Sequence, residues 1–332
     1  MRRTRLWKGK HRIARAVALL VVLLIALGGD VGYQVGMASS HQDQEAFRIT
    51  VDVDLVLLQA TVRDRKGRLV SHLREQDFQV YEDGVLQRIR FFQRDDVPIT
   101  AGLIIDHSGS MGPKLGDVII AARTFVQSSH PEDEIFIINF NERASLGLPG
   151  AVRFTNRLDE LEQAILKTPA TGQTALYDAV GEALEHLRAG SRDRKVLVII
   201  SDGADNASSR SLTDILEMAG RSNVVIYTVG IFGAAESDRN PGVLRRLARA
   251  TGGEAFFPSR PSELAAICEI IAHDIRNQYT IGYVPADPPP PGTYRAIRVV
   301  AHTAGSNRLF VRTRTGYIAG GAARPENAKG VK

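Results

Sequence analysis

Hydrophobic and polar positions divide this chain into three kinds of segment. Near the start, Ile49, Val51, Val53 and Leu55 alternate with Thr50, Asp52 and Asp54, the period of a half-buried strand. Lys66-Gly67 makes a turn. D-F-Q-V-Y and V-L-Q-R-I-R-F-F then flank Asp83-Gly84, a strong hairpin signal. Residues 47–96 therefore read as a small all-β module, expected to be a β-sandwich of immunoglobulin-like kind. From residue 97 the pattern changes to strands at 99–105, 134–140, 195–201, 223–230 and 254–257. Between and after them, helices read at 115–129, 156–167, 174–189, 211–221, 241–251 and 262–277. Such alternation predicts an α/β fold, a doubly wound, mostly parallel sheet with helices on both faces; residues 144–148 fit a short antiparallel edge strand. Residues 279–318 are β again, with strands at 279–284, 294–302 and 309–318. Three strands alone make a thin domain. They are expected to pack with the N-terminal strands, leaving 97–278 as an insertion between two halves of one β module. Residues 319–332 read as a disordered tail.

The chemistry concentrates where one apolar run stops. Ala101 to Ile105 ends abruptly in Asp106-His107-Ser108-Gly109-Ser110. Such a run is a buried parallel strand that delivers its C-terminal end to a site. One carboxylate and two hydroxyls alternate along the loop, and oxygen donors of this kind suit a hard cation. Taken alone, D-x-S-x-S is also compatible with an ordinary polar turn. Two further segments change that. Lys195 to Ser201 is a second apolar run, ending in Asp202-Gly203, and T-G-Q-T-A-L-Y-D-A-V places Thr174 at the opening of a helical pattern.

Together these residues resemble the von Willebrand factor type A (VWA) domain and its metal-ion-dependent adhesion site (MIDAS). The likeness spans about 98–278, with Asp106, Ser108, Ser110, Thr174 and Asp202 at the five motif positions. It implies a VWA/Rossmann-like sheet with a site at the reversal of strand order, where strands ending in Asp106 and Asp202 meet. It implies hydroxyl donation to the metal from Ser108 and Ser110. Thr174 would bind directly or through water, while Asp106 and Asp202 hold waters and supply counter-charge. Mg²⁺ is the expected cofactor, with Mn²⁺ and Ca²⁺ as alternatives. The expected partner is another protein, which offers an acidic side chain to the metal's open position. Asp205 reads either as a support for the site or as part of a helix-entry turn, and His107 as a rim residue. D-F-x-V-Y-E-D-G ahead of such a domain is similar to the bacterial exported "VWFA-related" family, which supplies architecture more than activity.

Charge sharpens the picture at the N-terminus. The chain of 332 residues carries a formal +5, from 42 basic and 37 acidic residues. Residues 1–38 hold seven basic residues and one acid, Asp30, so the remainder is −1. Bulk charge therefore gives nucleic-acid binding no support. A basic stretch to Arg15 followed by the uncharged residues 16–29 has the form of a signal peptide. Cleavage after Ala38 is expected, and an uncleaved anchor is the alternative. Either way the rest of the chain is expected outside the cytoplasm: periplasm, cell surface or medium. Oligomeric state is not readable. The single cysteine, Cys268, excludes an internal disulfide and sits on the apolar face of a predicted helix. Arg295, Arg312 and Arg314 read as a solvated strand face, with an anionic ligand as the alternative.

Enzymatic readings find little purchase. Asp106, His107 and Ser108 are chain neighbours and cannot meet face to face as a triad. G-x-S-x-G, H-E-x-x-H and P-loop motifs are absent from the sequence. Mg²⁺-assisted phosphoester hydrolysis needs a general base beside the metal, and none is evident. The third reading is a structural part of an envelope assembly with a non-essential metal site.

Overall fold

A computed structural model describes residues 55–320, except 95, 233–238 and 304–308. The expected signal segment, most of the alternation at 49–55 and residues 321–332 lie outside the described residues. The chain enters through β1 (Val56–Arg63), β2 (Phe78–Glu82), β3 (Val85–Gln87) and β4 (Ile89–Gln93). An α/β segment follows: β5 (Ile99–Asp106), α1 (Leu115–Gln127), β6 (Glu134–Phe140), β7 (Ala144–Leu146), α2 (Leu158–Leu166), α3 (Leu176–Leu187), β8 (Arg194–Ser201), α4 (Leu212–Arg221), β9 (Val224–Gly230), α5 (Pro241–Thr251), β10 (Ala255–Phe256) and α6 (Leu264–Arg276). It closes with β11 (Tyr279–Tyr283), β12 (Tyr294–Ala301), β13 (Phe310–Arg312) and β14 (Gly316–Ile318).

The six-stranded sheet of the α/β segment has the order β10-β9-β8-β5-β6-β7, parallel except for β7. Every residue of β5 and β9 is buried, as central strands covered on both faces require. Helices form for local reasons as well. Asn240 caps α5 by accepting from Val243 N at 3.2 Å, Pro241 starts it, and Gly252 ends it at φ +85°. Ser211 and Asp214 form a capping box on α4. On α6, Cys268 is buried, and burial pushes its thiol up to about 12, the behaviour of a core residue.

Strands from the two ends of the chain pair with each other. One antiparallel sheet has the order β13-β1-β11-β4 and the other β14-β12-β2-β3. Their facing residues, among them Leu58, Ala60, Phe78, Val80, Ile281 and Val299, share one core. The α/β segment thus leaves this sandwich after Gln93 and returns to it at Tyr279.

Two expected strands are in fact pairs. Residues 85–92 break at Arg88, so that β3 pairs with β2 and β4 with β11 in the other sheet. Residues 309–318 break at 313–315, so that β13 pairs with β1 and β14 with β12. A strand that crosses from one layer to the other makes the corner of a sandwich. The turn Asp83-Gly84 has both φ values positive, 47° and 85°, as a two-residue hairpin loop requires. The end of the β module extends past its expected limit, because Ala319 is buried and its N–H donates to Thr293 O at 2.9 Å.

Candidate metal centre

Strand order reverses between β5 and β8, and both strands end at the same edge. Connections from β5 run to β6 on one side; those from β8 run to β9 on the other. The gap left at such a reversal is where ligands bind on open α/β sheets. Asp106 is the last residue of β5, and Asp202 follows the last residue of β8.

Four of the five motif residues are linked by hydrogen bonds. Asp106 is fully buried, and its Oδ1 accepts from Ser108 N at 2.8 Å. Its Oδ2 accepts from Ser201 Oγ at 2.6 Å. The Ser108 and Ser110 hydroxyls stand 3.2 Å apart, and Ser110 Oγ donates to Asp202 Oδ2 at 3.0 Å. The other Asp202 oxygen accepts from Ala204 N at 3.0 Å.

Thr174 is buried on a loop held beside them. Thr171 N donates to His107 O at 2.9 Å and Gly109 N to Gly172 O at 3.3 Å. Its hydroxyl shares no hydrogen bond with the other four among the described residues. Thr174 does not open a helix, since α3 begins at Leu176. Instead Asn206 fixes its backbone: Asn206 Oδ1 accepts from Thr174 N at 2.8 Å, and Asn206 N donates to Thr174 O at 2.9 Å.

Electrostatics at the site are one-sided. Burial drives the Asp106 carboxyl up to about 6; hydrogen bonds from Ser201 and Ser108 oppose this, and the neighbouring Asp202 carboxylate adds to it. Among the described residues no Lys or Arg forms an ion pair with Asp106 or Asp202. Two nearly buried acids without a counter-cation, lined by hydroxyls, fit a hard divalent ion by donor chemistry. Among the described residues no group of three or more His, Cys, Asp or Glu is arranged to hold a metal. The candidate donors are mainly hydroxyl oxygens.

Several side chains play parts that differ from expectation. His107 is not a rim residue: it is fully buried, its backbone N–H donates to Phe140 O at 2.6 Å, and burial lowers its imidazole below the ordinary range. Asp205 holds the entry to α3, accepting from Tyr177 N at 3.1 Å and Ser208 Oγ at 2.6 Å. Ser201 and Asn206 support the site and carried no role in the sequence reading. A hydroxyl closing an apolar strand one residue before Asp202 was the available signal for Ser201. Gly203 sits at φ +79°, where a Cβ would come 2.5 Å from Asn240 O. Only glycine lets the chain turn there with the α5 loop packed against it.

This fold and site define a doubly wound α/β domain with oxygen donors gathered at its switch point. The family model of the von Willebrand factor type A domain matches residues 102–270, half of the chain. The chain belongs to that family, whose domains are generally protein-interaction modules and commonly bind a divalent metal at the MIDAS. No curated protein matches it. A solved structure of von Willebrand factor type A from Catenulispora acidiphila is similar at 16% identity, over 80% of this chain and 74% of that one, with a TM-score of 0.50. The vWF domain of the type V pili tip protein Mfa5 from Porphyromonas gingivalis is 15% identical, over 54% of this chain and 95% of that one, TM-score 0.46. Proximal thread matrix protein 1 from the mussel byssus, with a zinc occupied MIDAS motif, is 17% identical, over 59% and 50%, TM-score 0.47. Likeness at these identities concerns the fold alone.

Proposed function

We propose that this chain is an exported adhesion-type module that captures an acidic side chain of a partner protein through a divalent cation. Ser108, Ser110 and Thr174 offer the hydroxyl oxygens, and Asp106 and Asp202 balance the charge. The bound cation supplies an electrophilic coordination position that a partner carboxylate completes. Mg²⁺ is the cation we favour, because it accepts few carboxylates and keeps part of its shell for water or ligand. The observation that carries this reading is the pair of buried acids, Asp106 and Asp202, joined through Ser110 and Ser108, with which no Lys or Arg forms an ion pair among the described residues. Export rests on the basic and apolar character of residues 1–29. Among the described residues no helix is long and apolar enough to cross a membrane.

The test is capture of partners from envelope extract by the full chain in Mg²⁺, in chelator, and with Asp106→Ala. A partner retained only by the wild-type chain in Mg²⁺ supports the reading. One retained equally in all three arms moves binding to the β-sandwich and leaves the metal a structural role.

A further inference from the structure

A groove of about 590 Å³ lies where the C-terminal half of α5 faces β12 and β13. Its wall carries Arg245, Arg249, Arg298, Arg312 and Arg314 against a single acid, Glu254. Arg295, Arg312 and Arg314 do not form the solvated strand face that the sequence suggested. Arg312 is neutralised, ion-paired to Glu254 and, at 2.7 Å, to Asp274. Arg295, outside the groove, is paired with Glu82 and Asp83. The other four have no carboxylate partner among the described residues. The Arg245 guanidinium lies 4.4 Å over the Phe257 ring, a contact that leaves its N–H edge free to bind, whereas that of Arg298 lies 4.0 Å over Tyr81, on the strand face opposite Ile297 and Val299. Arg249 is exposed, and its side chain makes no hydrogen bond or ion pair to a described residue.

Arg314 is the strongest sign of a ligand. It is only 9% exposed, and its Nε and Nη2 donate to the backbone carbonyls of Gly316 and Gly220, both at 2.8 Å. Burial lowers its guanidinium to about 10. A charge taken out of water without an opposite charge is costly, and an anion in the groove would relieve that cost. Ile297 and Val299, beside it in the wall, are apolar and strengthen any charge interaction there.

We propose that this groove binds a compact multivalent oxyanion, of the phosphoanhydride or polycarboxylate kind, gripped at the rim by Arg245 and Arg249 over the buried charge of Arg314. Guanidinium forks match the paired oxygens of such groups. The site uses no residue of the candidate metal centre.

Calorimetry on the full chain, stripped of metal on a chelating resin, tests it with inorganic pyrophosphate and with citrate. The expected result is saturable binding of at least one probe, weakened tenfold or more by Arg249→Glu and by Arg245→Glu. Arg188→Glu, at the exposed end of α3, should leave binding unchanged. Pyrophosphate alone binding identifies a phosphoryl ligand, citrate alone a carboxylate ligand, and both the shared chemistry. The proposal is overturned if neither probe saturates up to about 10 mM, an affinity too weak for a built site, or if binding survives both rim substitutions.

Discussion

Ser201 donates its hydroxyl proton to Oδ2 of Asp106 at 2.6 Å, across the boundary where the sheet reverses its strand order. With Oδ1 engaged by Ser108 N, both oxygens of this buried acid are already oriented by the protein. Asp106 is therefore a buried acid whose direction the neighbouring strand sets. Ser201→Ala removes a hydrogen bond that favours the ionised form. It should raise the Asp106 pKa further and weaken Mg²⁺ binding by roughly 10–100-fold, the usual cost of losing an outer partner of a metal site. Calorimetric Mg²⁺ titration of the variant checks this.

Asn206 is expected to matter for a different reason. Its side-chain oxygen accepts from Thr174 N, so Asn206→Ala removes that bond and loosens the loop while the backbone bond to Thr174 O and every motif residue remain. Weaker Mg²⁺ binding, with little loss of global stability, is the expected outcome. Amide hydrogen exchange should show faster exchange in residues 171–176 without change in the central strands.

Metal affinity should depend on pH through Asp106. Its carboxyl titrates near 6 in the folded, metal-free chain, against 3.8 ordinarily. A group raised in this way stabilises the metal-free fold most below about pH 4, and that contribution is lost as pH rises through 6. Binding a dication needs the ionised form, so metal should displace the proton. Between pH 7 and pH 5 the apparent Mg²⁺ affinity should fall about tenfold. Titrations in two buffers of different ionisation enthalpy should report proton release at pH 5 and little at pH 8. A pH-independent affinity would contradict this assignment.

Gly203→Ala places a Cβ against Asn240 O at a backbone angle that suits glycine. A destabilisation of about 1–3 kcal/mol is expected, together with weaker Mg²⁺ binding, because the shift falls next to Asp202. Denaturant unfolding and metal titration on the same preparation separate the two effects.

Asp274 ties the last helix to the sandwich. It is 1% exposed and accepts from Arg63 of β1 at 2.8 Å and from Arg312 of β13 at 2.7 Å. Asp274→Ala leaves Arg63 and Arg312 with Glu254 as their remaining acid, and should cost about 1–3 kcal/mol of stability. Guanidinium chloride screens such charges, so urea is the denaturant to use.

Much of this architecture was legible because its signals are local. The apolar runs ending at Asp106 and Asp202, and their alternation with helical periods, marked a parallel α/β sheet, and the resemblance to the VWA fold put its switch point between these two strands. The family motif then singled out Ser108, Ser110 and Thr174. What stayed hidden depends on the third dimension. Period-two alternation does not mark the layer to which a strand belongs, so the sheet changes at Arg88 and at 313–315 read as unbroken strands. His107 stands beside an open loop in sequence, yet it points into the protein. The serine at Ser201 looked like the end of an apolar run, since its partner lies 95 residues earlier. Arg312 and Arg314 sit two apart on what looked like one strand face, yet one is paired with acids and the other is buried against carbonyls.

The most direct measurement is calorimetric titration of the full chain with Mg²⁺ at pH 7.5, compared with Asp106→Ala and Ser110→Ala. Saturable one-to-one binding by the wild-type chain, lost in both variants while their unfolding remains cooperative, is the predicted result. Absence of binding by the wild-type chain, or equal binding by all three, would contradict a metal centre at the β5–β8 switch point.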